Sequence, residues 1–175
     1  MSDWLLYFGL FLAVFFTMEG VAWFLHKYVM HGFLWVLHKS HHEPRKSAWE
    51  LNDAFGLFFA AISIALFAWS TQFGGPRWAF VVALGVTAYG AVYFLVHDVL
   101  VHHRVNLGLN PKKGYLRRLY QAHRLHHAVD GKDGCVSFGF VFARSPEHLK
   151  RRLQELAPLR ERQRSKIDAK RQEPR

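Results

Sequence analysis

The stretch that decides the fold runs from Ala54 to Val96: AFGLFFAAISIALFAWSTQF, then GGPR, then WAFVVALGVTAYGAVYFLV. The first and last of these three parts contain no charged side chain. As α-helix, about 20 residues span the roughly 30 Å of a membrane's hydrocarbon core. Gly-Gly-Pro is typical of a turn. The stretch therefore predicts two transmembrane helices joined by a short connection.

A third apolar run precedes these two. Leu5 to Leu25 is apolar apart from Thr17, Glu19 and glycines, and it lacks the basic start and small-residue cleavage site of a secretory signal. We therefore interpret it as a further span. The apolar segment from Cys135 to Ala143 has only nine residues and is too short to cross, so we expect it to be re-entrant or interfacial.

Basic residues are distributed unevenly about these spans. Of the 23 Lys and Arg residues, only Arg77 lies in the connection between the second and third runs, and none precedes the first run. The positive-inside rule then places the N-terminus and this connection outside, and the remaining loops and the C-terminus in the cytoplasm. The prediction is an all-α integral membrane protein with three transmembrane helices, a fourth being left open, and a cytoplasmic histidine-rich helical cap.

The C-terminal segment differs from the rest in charge. From Pro146 to Arg175 there are ten basic and five acidic residues, and Ser145-Pro146 is typical of a helix start. We divide the chain into a membrane-embedded metal domain, residues 1–145, and a basic C-terminal helix or tail, residues 146–175. Such charge favours contact with membrane lipid. Nucleic acid is not an expected partner of a chain with these spans.

Ten histidines form four groups that repeat two spacings. The groups are His26 and His31, then His38, His41 and His42, then His97 and His102, then His123, His126 and His127. In H-x2-H-H the three side chains project within about a 100° arc of one helix face and can aim at one point. In H-x4-H they lie roughly 140° apart, which suits a pair that straddles a site or a helix end that unwinds or bulges. All ten lie on the predicted cytoplasmic side, and they are enough to saturate two metal ions.

Polar residues close to these groups are candidates for orienting the imidazoles or handling protons. They are Glu19, seven residues before the first group, Asp98 and His103, each next to a histidine of the third, and Asn52 and Asp53, which open the second span. For Glu19, a costly intramembrane carboxylate, a purely structural hydrogen bond is the alternative. For Asn52 and Asp53 helix capping is the favoured interpretation, and orientation of an imidazole the second.

The sequence contains no motif for a flavin, a nicotinamide or a nucleotide phosphate. The single Cys135 can form neither an internal disulfide nor an iron–sulfur cluster. Electrons for any redox chemistry must therefore come from another protein.

Four stretches carry a family resemblance. They are His26-Lys-Tyr-Val-Met-His31-Gly-Phe-Leu-Trp, His38-Lys-Ser-His41-His42, His97-Asp-Val-Leu-Val-His102 and Arg117-Arg-Leu-Tyr-Gln-Ala-His123-Arg-Leu-His126-His127. They resemble the bacterial β-carotene 3-hydroxylases, short members of the membrane fatty acid hydroxylase and sterol desaturase superfamily. The similarity extends from about Met18 to about Phe142 and includes Val136-Ser137-Phe138-Gly139-Phe140.

The resemblance implies a non-haem di-iron monooxygenase of a bacterial inner membrane. It implies two iron ions held by the ten histidines, with His102 rather than His103 completing the third group, O2 as co-substrate, and a separate electron donor such as ferredoxin and its reductase. The implied substrate is β-carotene from the bilayer, hydroxylated at carbon 3 of its rings to give zeaxanthin. Imidazole-rich sites bind zinc more tightly than ferrous iron, so zinc can replace iron in a purified sample.

Two other classes of function stay open. A fatty acyl or sterol hydroxylase or desaturase would use the same scaffold, and analysis of the product distinguishes it. A non-enzymatic metal transporter would place its ligands along the spans, whereas these histidines lie at the ends of the spans. A haem protein would use two histidines and leave eight without a role.

Overall fold

The computed structural model describes residues 3–45, 47–129 and 131–172, and every regular element within them is a helix. The helices are α1 (Asp3–Phe24), continued by a first π-helical segment (Leu25–Phe33), α2 (Trp35–His42), α3 (Asp53–Gln72), α4 (Arg77–Phe94), continued by a second π-helical segment (Leu95–Val101), α5 (Gly114–His126), α6 (Pro146–Glu155) and α7 (Ala157–Gln172). The predicted all-α fold is confirmed.

Three of these helices are long and apolar enough to cross a membrane. With their π-helical continuations they cover Asp3–Phe33, Asp53–Gln72 and Arg77–Val101, and the described residues contain no fourth helix of this kind. Large apolar side chains such as Phe16 and Phe58 are exposed on these helices, as expected of surfaces that contact lipid. The three predicted spans are confirmed, and the chain is an integral membrane protein.

Helix α4 packs against both α1 and α3. Met18, Val86 and Tyr89 form the core between α1 and α4. A short turn joins α3 to α4, where the N–H of Gly75 donates to the carbonyl of Trp69 at 2.8 Å. A Cβ on Gly75 would lie 2.7 Å from that oxygen, so this turn requires glycine. The C-terminal ends of α1 and α4 and the N-terminal end of α3 therefore lie at the same end of the bundle.

The described residues of 34–45, 47–52, 102–129 and 131–172 lie outside the three spanning helices and are called the cap here; α2 contacts the first π-helical segment, and α5 contacts the second. The core of the cap joins α5, the segment 135–143 and α6, and is formed by Leu119, Ala122, Val136, Ala143 and Leu149. The predicted start of α6 is confirmed, because the side chain of Ser145 accepts a hydrogen bond from the N–H of His148 at 3.3 Å and Pro146 occupies the first turn. Helix α6 packs against α5 through Leu149.

The segment 135–143 is neither helix nor strand. The N–H groups of Phe140, Val141 and Phe142 donate to the carboxylate of Glu19 at 3.1, 3.1 and 2.9 Å. Glu19 lies in α1, about 10 Å along the helix axis from His26. The segment therefore turns back into the bundle, as expected of a re-entrant segment. Glu19 accepts the hydrogen bonds of backbone N–H groups, which water would accept in a solvent-exposed segment.

Candidate metal centre

The H-x4-H pairs lie in π-helical backbone, except that His102 directly follows the second segment. His26 and His31 belong to the first π-helical segment, and the N–H of His102 donates to the carbonyl of His97 at 2.9 Å, at the end of the second. A π-helical hydrogen bond joins residues i and i+5, so side chains five positions apart project from the same face. The bulged helix end, one of the two geometries expected for this spacing, is the one observed.

The ten histidines predicted to bind metal form two adjacent clusters. In each, one ring nitrogen per histidine lies within 4.8 Å of those of the others. The first cluster is His26, His31, His38, His42 and His126, and the second is His41, His97, His102 and His123. His127 adjoins the second cluster, with its Nε2 3.0 Å from that of His123. The structure brings all ten side chains together, and metal binding by each stays a prediction.

Each H-x2-H-H triad is divided between the two clusters, so the expectation that its three imidazoles aim at one point was wrong. His38 and His42 join the first cluster, whereas His41 joins the second. The last triad divides in the same way, with only His126 in the first cluster. On a helix, residue i+4 lies about 40° to one side of residue i, and i+3 about 60° to the other. The i and i+4 pair therefore shares a cluster, while i+3 reaches the neighbouring one.

Hydrogen bonds on the outer side of the rings determine which nitrogen faces the cluster. The Nδ1 of His31 lies 2.7 Å from the carbonyl of Lys132, and that of His126 lies 2.9 Å from the carbonyl of Val136. Because a carbonyl only accepts, Nδ1 carries the proton in both rings and Nε2 carries a lone pair. The two Nε2 atoms are nevertheless 3.1 Å apart. Two lone pairs at this distance repel each other unless a cation lies between them.

The same arrangement occurs at His26 and His38. Their Nδ1 atoms donate to the carbonyl of Phe138 and to Oδ1 of Asn52, at 2.9 and 2.7 Å, and their Nε2 atoms are 3.2 Å apart. Other neighbouring Nε2 pairs lie 2.9 to 3.2 Å apart. Two nitrogens bound at right angles to one ion, with bonds of about 2.1 Å, are about 3.0 Å apart. The residues present therefore fit a metal ion in each cluster.

Two residues that contact the outer side of the clustered histidines differ from expectation. The side chain of Asn52 makes no capping bond at the start of α3 and orients His38 instead, so the capping interpretation was wrong for this residue. Glu50, which the sequence analysis did not single out, accepts a hydrogen bond from Nδ1 of His41 at 3.0 Å. Glu50 lies in an irregular connection where no periodic pattern marks it, and only the folded chain brings it to His41.

Three charged side chains, Asp98, Arg104 and Asp53, lie on the outer side of the second cluster, next to His97. Oδ2 of Asp98 is 3.4 Å from Nδ1 of His97, and Arg104 binds Asp98 at 3.0 Å and Asp53 at 2.7 Å. The two carboxylates raise the pKa of the Arg104 guanidinium above its usual value. Asp53 also accepts a hydrogen bond from the N–H of Glu50, just before α3. Arg104, like Glu50, was not foreseen, since an arginine in a basic chain carries no distinctive signal.

Burial keeps the cap histidines neutral. Loss of hydration, with repulsion from neighbouring imidazoles, lowers the pKa of His38, His102 and His127 to about 2 and that of His42 to about 3. The neutral imidazole is the form that binds metal. In the unfolded chain these residues protonate near pH 6.5 (about the model-peptide value). Below about pH 6.5 the unfolded chain binds protons that the folded chain does not bind. The free energy of unfolding is therefore greatest above about pH 6.5 and decreases as the pH falls towards the pKa values of the folded chain.

Glu19 and His103 lie outside the two clusters. Glu19 accepts a hydrogen bond from the Tyr89 hydroxyl at 2.7 Å, in addition to those from the segment 135–143. His103 has a left-handed backbone, with φ of 49°, and an exposed side chain near Tyr120. The Nε2 of the adjacent His102 lies 3.1 Å from that of His123. Of His102 and His103, only His102 is positioned to bind a metal ion in the clusters.

An apolar cavity of about 950 Å³ lies beside the clusters, among α1, α3 and α4. Most of its lining comes from apolar residues of the spans, such as Met18, Ile64 and Val86. Such a volume is at the upper end of the range for small-molecule sites, about 300–1,000 Å³. The residues that line it close to the clusters are Asn52, Tyr93, Asp98, Arg104 and Phe140.

Comparison with known proteins assigns the chain to a family. The model of the fatty acid hydroxylase family matches residues 11–144. The chain belongs to the fatty acid hydroxylase family. This family member is 53% identical to a β-carotene hydroxylase of Pseudescherichia vulneris, over 79% of this chain and 78% of that protein. It is 49% identical to one of Paracoccus sp. (strain N81106 / MBIC 01143), over 82% and 88%.

A chloroplastic β-carotene hydroxylase 2 of Capsicum annuum is also similar, with 41% identity over 63% of this chain and 37% of its own length. No solved structure matches the chain. The chain is therefore an oxidative hydroxylating enzyme, because it belongs to the fatty acid hydroxylase family and is similar to these relatives.

Proposed function

We propose that the chain hydroxylates β-carotene at carbon 3 of its rings to give zeaxanthin, with two iron ions and O2. The observation that carries the proposal is the convergence of ten imidazoles, in two clusters, beside an apolar cavity within the spans. Imidazole is a suitable ligand for iron. The named relatives support the substrate, because about half of the aligned residues are identical.

When bound, the iron ions supply the activation of dioxygen. Each turnover converts one ring C–H bond into C–O–H and releases the second oxygen atom as water, which consumes two electrons and two protons. The chain holds the imidazoles neutral and orients them through Asn52, Glu50 and backbone carbonyls. The apolar cavity walls exclude water from the reacting carbon.

Product formation in cells that accumulate β-carotene tests the proposal. We expect expression of the chain to convert β-carotene into mono- and then dihydroxylated pigment, identified against zeaxanthin by chromatography and mass spectrometry. His38→Ala, produced at the same level, is the inactive control. Unchanged β-carotene beside protein that carries two iron ions would contradict the substrate. Hydroxylated or desaturated fatty acyl chains or sterols would then support the alternative reading of the scaffold.

We further propose that the cap faces the cytoplasm from a bacterial inner membrane, with residues 1–145 as the metal-containing unit and the basic residues 146–175 on the same side. The charge distribution supports this orientation, since only one of the 23 basic residues lies in the connection between the second and third spans. We expect a reporter fused after Arg175 to be active in the cytoplasm, and a cysteine introduced at Gly74 to react with impermeant reagent from outside. The opposite pattern would overturn the orientation.

We also propose that the electrons come from a separate acidic carrier, such as ferredoxin with its reductase, which docks on the cap. Lys112 and Lys113 are exposed immediately before α5, Arg117 lies in its first turns, and the last turn of the same helix carries His123 and His126. Complementary charge accelerates the encounter of such partners by about 10- to 1,000-fold, and salt screens it.

Replacing Lys112, Lys113 and Arg117 together with Gln is therefore expected to raise the donor concentration needed for half-maximal turnover by about tenfold. Metal content should stay unchanged. Turnover with limiting donor is measured in neutral detergent at low and high salt, so that attraction to anionic lipid does not contribute. Unchanged donor dependence in both comparisons would show that this surface does not bind the donor.

A further inference from the structure

One side chain that lines the cavity contacts histidines of both clusters. The ring of Phe140 is stacked on His26 at 5.2 Å between centroids, with an angle of 12° between the ring planes. It also lies 5.4 Å from His97 and 5.8 Å from His123, and Tyr93 packs against it at 4.6 Å. Phe140 is 6% exposed and lines the cavity. A substrate in the cavity therefore contacts, at Phe140, a ring that packs against histidines of both clusters.

The backbone on either side of Phe140 is held in place. The carbonyl of Phe138 accepts the hydrogen bond from Nδ1 of His26 at 2.9 Å. The N–H groups of Phe140 and the two residues after it donate to Glu19, whose carboxylate also accepts from Tyr89. The ring of Phe140 is thus fixed relative to a candidate metal ligand and to two spans. Glu19, although remote from the clusters, acts through this segment as a positioning residue.

The proposed reaction needs such a fixed wall. In the ring of β-carotene, carbon 4 is adjacent to a double bond and its C–H bonds are weaker than those of carbon 3, so an unselective oxidant prefers carbon 4. Neighbouring ring carbons are only about 1.5 Å apart. Misplacement of a reacting atom by about 1 Å can change a rate by about 100-fold. Hydroxylation at carbon 3 therefore requires that the protein hold carbon 3, rather than carbon 4, nearest to the metals.

We propose that Phe140 determines this regioselectivity. The inference rests on the proposed function, since it names the residue that selects the carbon in that reaction. The Phe140 ring limits how far the terminal ring of the substrate advances towards the two clusters, and Tyr93 supports it from the side of α4. A smaller side chain leaves space that the substrate ring fills, because buried voids are unfavourable. Carbon 4, with its weaker C–H bond, then lies close enough to the metals to react.

The test compares Phe140→Leu with wild type in cells that accumulate β-carotene. We expect the ratio of 4-hydroxylated to 3-hydroxylated product to rise by at least about tenfold, since a shift of one carbon exceeds the about 1 Å that already changes rates 100-fold. Metal content should be unchanged. Phe140→Met, whose side chain has nearly the volume of leucine but is unbranched, is the second variant and should raise the ratio in the same direction. Glu19→Gln, which weakens the support of the segment, should shift the ratio in the same direction.

The matched control is Phe142→Leu, because Phe142 lies on the same segment but its side chain is 65% exposed. We expect the wild-type product ratio from this control. A wild-type ratio from Phe140→Leu or Phe140→Met, at whatever rate, would overturn the inference and leave the proposed function intact. Absence of any hydroxylated carotenoid from the wild-type chain would instead overturn the proposed function, and this is seen before any variant is compared.

Discussion

Replacing His41 with Ala is expected to remove the metal ion of the second cluster and to leave the first cluster occupied. His41 belongs to a triad whose other members lie in the first cluster, but its own Nε2 is 2.9 Å from that of His97 and its Nδ1 is held by Glu50. We expect hydroxylation to fall by more than about 100-fold, because even the groups behind metal ligands are worth 10- to 100-fold. Metal analysis should give one ion per chain instead of two.

His126→Ala is the reciprocal variant. His126 lies on α5 beside two histidines of the second cluster, yet its Nε2 is 3.1 Å from that of His31 in the first. It should also leave one ion, whereas the double variant should leave none. His148→Gln, in α6 and next to Arg144, is the control and should keep both ions and normal turnover. Wild-type activity with two ions in either single variant would overturn the assignment of the clusters.

The division of the triads shows what spacing can and cannot predict. The interval between His38, His41 and His42 places all three on one helix face, and the structure has them there. Which cluster each side chain joins depends on where α5 and the second π-helical segment lie beside α2. The interval separates the i+3 residue from the other two, but which cluster each of them joins is a tertiary relation that the interval does not encode. The π-helical backbone was one of two open geometries for the same reason, since an interval of five fits more than one helix form.

The second span was predicted to within one residue at each end, because charge-free runs are a strong signal in a membrane protein, whereas the first and third helices continue beyond the predicted runs to Phe33 and Val101. The run from Ala54 to Phe73 corresponds to Asp53–Gln72, and the run from Trp78 to Val96 lies within Arg77–Val101. Groups behind the ligands were predicted less well. Among the described residues, four of the six rings whose Nδ1 has a hydrogen-bond partner use a backbone carbonyl, such as that of Lys132 or Val136. Every residue has a carbonyl, so sequence cannot distinguish those that are used.

Replacing Gly139 with Ala is expected to disrupt the segment that carries Phe138 and Phe140. A Cβ at this position would lie 2.6 Å from Oε1 of Glu19 and 2.8 Å from the carbonyl oxygen of Phe142. The carboxylate can move away only by losing its hydrogen bonds to the segment, and the carbonyl can move only if the segment opens. Hydrogen bonds to a charged group are worth about 1.5–3 kcal/mol each, so the free energy of unfolding should fall by at least about 3 kcal/mol.

The effect should reach the metal centre, because the carbonyl of Phe138 orients His26. We expect Gly139→Ala to denature at lower temperature in detergent and to retain less metal in the first cluster, measured by circular dichroism and metal analysis. Gly20→Ala is the matched control: it lies next to Glu19 in α1, and a Cβ there would meet nothing within 4 Å. Ala is also the better helix former by about 1 kcal/mol. If both variants denature at the wild-type temperature with full metal content, the close approach of Glu19 to the segment is not what holds His26 and Phe140 in position.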